Sequence, residues 1–107
     1  MTGKVLICDD SVAVHRSLKS YLKNEGIEVI SAFTGEDAVS VINHSEIDVV
    51  VLDIMLPGIS GLDVCREIRK TNQGIYIVML SAKGEVVDRV VGLEIGADEM
   101  ERRTFCA

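Results

Sequence analysis

Residues 47–61 read IDVVVLDIMLPGISG, and two features of that stretch decide the fold. Val49–Leu52 is an uninterrupted apolar run dominated by β-branched side chains, which suits a strand buried on both faces better than one with a face in water. An acid, Asp53, follows it directly, and Pro57-Gly58 comes four residues after that acid. Proline and glycine side by side mark a turn. A buried strand that ends on a carboxylate and a loop is the arrangement of a parallel sheet whose working edge lies beyond the carboxyl ends of its strands.

Outward from this stretch the same alternation continues. Strands are expected at Lys4–Cys8, Ile27–Ser31, Ile47–Ile54 and Ile75–Leu80. Between them apolar residues recur at helical spacing: Val14, Leu18, Tyr21 and Leu22, then Ala38, Val41 and Ile42, then Leu62, Cys65 and Ile68. Thr34 stands three residues before Asp37 and Ser60 three before Asp63, so each hydroxyl can cap a first turn while the carboxylate favours the positive helix end. Gly26 ends the first helix. A fourth helix is expected from about Gly84 to Ile95, on the stripe Val86, Val87, Val90, Val91 and Leu93, with Gly96 as its terminator. Strands and helices in alternation imply right-handed crossovers and a doubly wound α/β fold with helices on both faces.

Composition bounds the function. The chain has 107 residues, which is one domain's worth, and 48% apolar with 26% charged residues suits a folded protein. A net charge of −6, with no basic cluster, argues against direct nucleic-acid binding. The apolar runs fall far short of the roughly 20 residues that cross a bilayer, and the start MTGKVLICDD lacks a signal-peptide core, so a cytoplasmic location is expected. Cys8, Cys65 and Cys106 form no C-x-x-C pair, and read as buried or incidental thiols rather than a disulfide or zinc set.

The strand ends hold the chemistry. Asp9 and Asp10 follow the first strand and Asp53 the third, so three carboxylates converge if those strands are neighbours. Like charges in one crevice repel each other unless a cation sits among them, and a hard divalent ion such as Mg²⁺ prefers oxygen ligands. Taken alone, Asp9-Asp10 also fits a plain helix cap. Ser81, directly after the fourth strand, tips the balance, because phosphoryl chemistry needs a donor to the non-bridging oxygens as well as a metal.

The segments KVLICDDS at 4–11, VVVLDIMLPGISG at 49–61 and IVMLSAK at 77–83 resemble the signature segments of bacterial response-regulator receiver domains, from Lys4 to about Asp98. The resemblance implies a flavodoxin-like sheet of strand order 2-1-3-4-5 and a single receiver domain over 1–107. It makes Asp53 the phosphoacceptor. It also implies that Asp10, Asp53 and the main-chain carbonyl of Met55 ligate Mg²⁺, with Asp9 acting through water, and that Ser81 binds phosphoryl oxygens. The donor would be a phosphohistidine on a histidine kinase or phosphotransfer protein, and the receiver would not count as an enzyme because it turns over no substrate of its own. Pro57, Gly58 and Gly61 would build the loop beside the metal.

The pattern breaks after Asp98. Where the family has an aromatic switch residue, a lysine and a proline, this sequence has Met100, Arg103 and Thr104. Arginine keeps the charge but spreads it over a planar fork, so the lysine's role passes to Arg103 only in doubtful form. The family's fifth helix is missing from the sequence, which leaves Val5, Ile7, Val14 and Leu18 expected to lie partly open, a flank suited to homodimerisation. These departures define the alternative reading, a pseudo-receiver that binds partners independently of phosphorylation. A haloacid-dehalogenase-like phosphatase is disfavoured because it needs an acid two residues after the nucleophile, where Met55 stands. His15 and His44 lack partners at ligand spacing and read as solvent-facing; scattered Met and Val residues, Val87 and Val91 among them, read as core.

Overall fold

The computed structural model describes residues 3–81 and 96–102. In chain order these form β1 (Lys4–Cys8), α1 (Val12–Asn24), β2 (Glu28–Ala32), α2 (Gly35–His44), β3 (Val49–Asp53), α3 (Gly61–Thr71), β4 (Tyr76–Ser81) and β5 (Glu99–Arg102). The five strands make one sheet in the order β2-β1-β3-β4-β5, and every pairing is parallel. This is the doubly wound order expected from the sequence. The expected fourth helix, with Val87 and Val91, lies outside the described residues.

Local signals place the helix ends. Ser11 Oγ accepts from Val14 N, Thr34 Oγ1 from Asp37 N at 3.1 Å, and Ser60 Oγ from Asp63 N at 3.3 Å, while the Asp63 carboxylate in turn accepts from Ser60 N. These bonds satisfy amides that have no partner inside the helix. Gly26 has φ 75°, the left-handed turn that stops α1. Just beyond it Ile27 N bonds back to Leu22 O at 3.1 Å, which is why β2 begins at Glu28 and not at Ile27.

Alternation splits the sheet into two faces. Leu6, Cys8, Val50, Leu52, Ile77 and Met79 share one face and are fully buried with Ala38 of α2 and Val64, Cys65 and Ile68 of α3. On the opposite face Val5, Ile7 and Val14 are buried and Leu18 is half-buried. The flank expected to lie open is thus closed at Val5, Ile7 and Val14, because α1 packs back over the sheet on that side. Tyr21, expected on the inner stripe of α1, is exposed; the stripe runs through Val14, His15, Leu18 and Leu22.

Candidate phosphoacceptor and metal site

The register of β1 and β3 builds the site. Cys8 lies opposite Leu52, so the next residue of each chain segment, Asp9 and Asp53, emerges side by side at the carboxyl end of the sheet. One oxygen from each of Asp9, Asp10 and Asp53 lies within 4.8 Å of the others. Asp9 and Asp53 are buried and Asp10 is exposed, so the cluster has two inner carboxylates and one at the rim.

Backbone amides fix the two inner carboxylates. Asp9 Oδ1 accepts from Ser11 N at 2.8 Å, and Asp53 Oδ1 accepts from Met55 N at 3.2 Å. Met55 therefore stands at the site through its main chain while its side chain is 73% exposed, outside the core. The loop after β3 is tied down where Gly61 N donates to Ile54 O at 2.9 Å. Only glycine permits that approach: a Cβ on Gly61 would fall 2.1 Å from the carbonyl oxygen of Asp53. Pro57 and Gly58, the latter at φ 78°, complete the same loop.

The remaining expected site residues are placed by backbone alone or not at all. Ser81 ends β4 one residue past Leu80, the register partner of Asp53, so its backbone lies at the same sheet edge. Met100 sits in β5 opposite Met79. Arg103 and Thr104 lie outside the described residues.

His15 is where the sequence reading needs correction. It is 4% exposed, with Nε2 2.7 Å from the main-chain oxygen of Asp9 and Nδ1 2.9 Å from Ser31 Oγ, and its ring stacks on Phe33 with centroids 4.1 Å apart. Its position between Val14 and Leu18 on a helical stripe was the available signal, outweighed by the general preference of histidine for the surface. His44, by contrast, is exposed, as expected, and its Nδ1 bonds Ser40 O at 2.8 Å.

The site's carboxylates act on the thiol beside them. Cys8, whose Sγ bonds Thr34 O at 3.4 Å, has its thiol pushed up to about 12 by burial and by the charges of Asp9 and Asp53. Such a thiol is neither nucleophile nor ligand at neutral pH. Cys65 is also buried and its thiol is raised by burial. Oxygen donors alone, at this spacing and charge, fit a hard divalent cation and not a soft one. No helix among the described residues is long and apolar enough to cross a membrane.

Comparison with known proteins agrees with this geometry. A profile of the response regulator receiver domain matches residues 5–101. The receiver domain of a Francisella response regulator is 31% identical with a TM-score of 0.89, over 97% of this chain and 86% of that one. The BeF3-activated receiver domain of RstA from Klebsiella pneumoniae is 33% identical with a TM-score of 0.89, over 94% and 86% of the two chains. The response regulator TrrA of Thermotoga maritima, solved in complex with Mg²⁺ and BeF, is 35% identical with a TM-score of 0.86, over 96% and 88%. With its sheet order, its strand-end carboxylates and nearly all of its length matched, the chain belongs to the response regulator receiver domain family.

Proposed function

We propose that this receiver works in the cytoplasm, where it accepts a phosphoryl group on Asp53 from a histidine kinase or phosphotransfer protein in a Mg²⁺-dependent step, and that the modification switches its partner interactions. The observation that carries the reading is the convergence of Asp9, Asp10 and Asp53 within 4.8 Å at the carboxyl edge of the sheet. Asp10, Asp53 and the Met55 carbonyl would hold the ion directly and Asp9 through water. Mg²⁺, when bound, supplies positive charge to oxygens of the carboxylate and of the transferring group.

The chain's own residues do the rest. Met55 N, on Asp53 Oδ1, fixes the plane of the nucleophilic carboxylate, and burial keeps competing water from it. An oxygen of Asp53 forms the new bond to phosphorus while the P–N bond of the donor phosphohistidine breaks; the electron pair leaves on the imidazole nitrogen, which takes up a proton. Ser81, whose backbone ends β4, would bind phosphoryl oxygens through its hydroxyl. The domain modifies itself once per cycle and turns over no separate substrate, so its role is that of a switch rather than an enzyme.

Acetyl phosphate with Mg²⁺ tests the proposal by intact mass. Wild type is expected to gain one phosphoryl group and Asp53→Asn none, since an amide is a far poorer nucleophile than a carboxylate. Phosphate on Asp53→Asn, or on Ser81 of the wild type, would overturn the assignment.

A further inference from the structure

We propose that His15 is a positioning residue for the acidic site: by donating to the Asp9 carbonyl it fixes the peptide plane joining Asp9 to Asp10, and so sets how Asp10 meets a divalent cation. The inference rests on the metal-dependent reading of the site given above. A carbonyl oxygen can only accept, so the 2.7 Å contact between Asp9 O and Nε2 puts the ring proton on Nε2. In the neutral ring Nδ1 is then an acceptor, and Ser31 Oγ, 2.9 Å away, donates to it.

Both ends of this chain of bonds are anchored. Ser31 lies in β2 opposite Ile7 of β1, and Phe33, two residues after Ser31, stacks on the imidazole at an interplanar angle of 29°. At the other end bonds among the described residues hold Asp9: its N donates to Ala32 O at 3.2 Å, its Oδ1 accepts from Ser11 N, and its carbonyl accepts from His15. That carbonyl belongs to the same rigid amide as the nitrogen of Asp10. Asp10 is exposed, and among the described residues no hydrogen bond holds its carboxylate. Its direction is therefore inherited from its backbone, and His15 is the side chain that sets the backbone. Partners behind a ligand tune metal affinity by orienting the ligand itself.

Two substitutions separate positioning from packing. His15→Gln places an amide nitrogen near the former Nε2 and keeps the donor; His15→Asn is too short to reach the Asp9 carbonyl, yet both lose the imidazole stack. Mg²⁺ affinity is read by calorimetric titration, and thermal unfolding without Mg²⁺ reads stability. His15→Asn is expected to bind Mg²⁺ roughly tenfold more weakly and His15→Gln within about twofold of wild type, at similar cost to stability in both. Equal affinities in all three proteins, or equal losses in both variants, would overturn the proposal. Ser31→Ala, which leaves the ring in place but removes its orienting donor, is expected to weaken Mg²⁺ binding about threefold and carries the test if neither His15 variant folds. Unchanged affinity in Ser31→Ala would then count against it. A wild type that takes up no Mg²⁺ would instead reject the reading of the site, and the positioning role with it.

Discussion

Two clusters of charged side chains among the described residues are built on different principles. At the carboxyl edge of β1 and β3, Asp9, Asp10 and Asp53 bring like charges within 4.8 Å. At the junction of α3 with the strand β5, Arg69 meets complementary groups: its Nε donates to Gly96 O at 2.8 Å, one terminal nitrogen to Ile75 O at 2.7 Å, and the other to Asp98 Oδ2 at 2.8 Å. Asp98 Oδ2 also accepts from Ile77 N at 2.8 Å, so the pair stitches α3, β4 and the start of β5 together. The junction is complete as it stands. The acidic edge instead gathers groups of one sign, and on the function proposed above it receives a cation and a phosphoryl group.

The largest expected effect breaks the complementary cluster. Arg69→Ala removes the bonds of the guanidinium and leaves the carbonyls of Gly96 and Ile75 without their donor, while the exposed Asp98 carboxylate keeps its bond from Ile77 N. A loss of about 2–4 kcal/mol in urea unfolding is expected. Mg²⁺ affinity should stay within about twofold, since the junction touches no proposed ligand. A comparable loss of Mg²⁺ binding would show that the two clusters are coupled.

A smaller effect is expected at the acidic edge. Asp53→Asn keeps the oxygen that accepts from Met55 N and removes a carboxylate that would ligate the cation. Adding Mg²⁺ should then stabilise the wild type, by about 1.4 kcal/mol at tenfold its Kd, and leave the variant nearly unmoved. Equal Mg²⁺ stabilisation of both proteins would break the contrast between the clusters.

The same contrast explains how much was legible in the sequence. Asp9, Asp10 and Asp53 could be singled out because strand ends are marked locally, by an apolar run giving way to an acid, and parallel pairing then brings those ends together without further information. The caps Thr34 and Ser60 were legible for the same reason: their partners are three residues away. Arg69 and Asp98 were not, since 29 residues separate them and neither stands in a pattern that names the other. His15 fell between these cases. Its place on the inner stripe of α1 was visible, but its partners Ser31 and Phe33 come from β2 and the loop after it, and only the packing of α1 against β2 brings them to the ring. Burial of Val5, Ile7 and Val14 was likewise decided by how α1 lies, which periodicity alone does not tell.

Two buried thiols report the smallest difference between the clusters. Cys8 lies by the acidic edge, and the causes that act on it from the described residues push the same way: burial first, then the charges of Asp9, Asp53, Asp37 and Glu36, taking its thiol from 9.0 up to about 12. Cys65 lies by the junction, where burial raises the thiol but the guanidinium groups of Arg69 and Arg66 work against the rise. A raised value means that the folded protein holds the proton more tightly than the unfolded chain. The stability carried by the neutral Cys8 thiol is therefore intact below about pH 9 and is lost as the pH climbs from 9 towards about 12. The slope approaches about 1.4 kcal/mol per pH unit within that window. Urea unfolding at pH 8.5 and about pH 10.5 is expected to show Cys8→Ala losing about 1–2 kcal/mol less than wild type over that interval, and Cys65→Ala sparing less than Cys8→Ala does. If the two cysteine variants flatten the pH dependence equally, the acidic edge exerts no field of its own on Cys8, and burial alone accounts for both thiols.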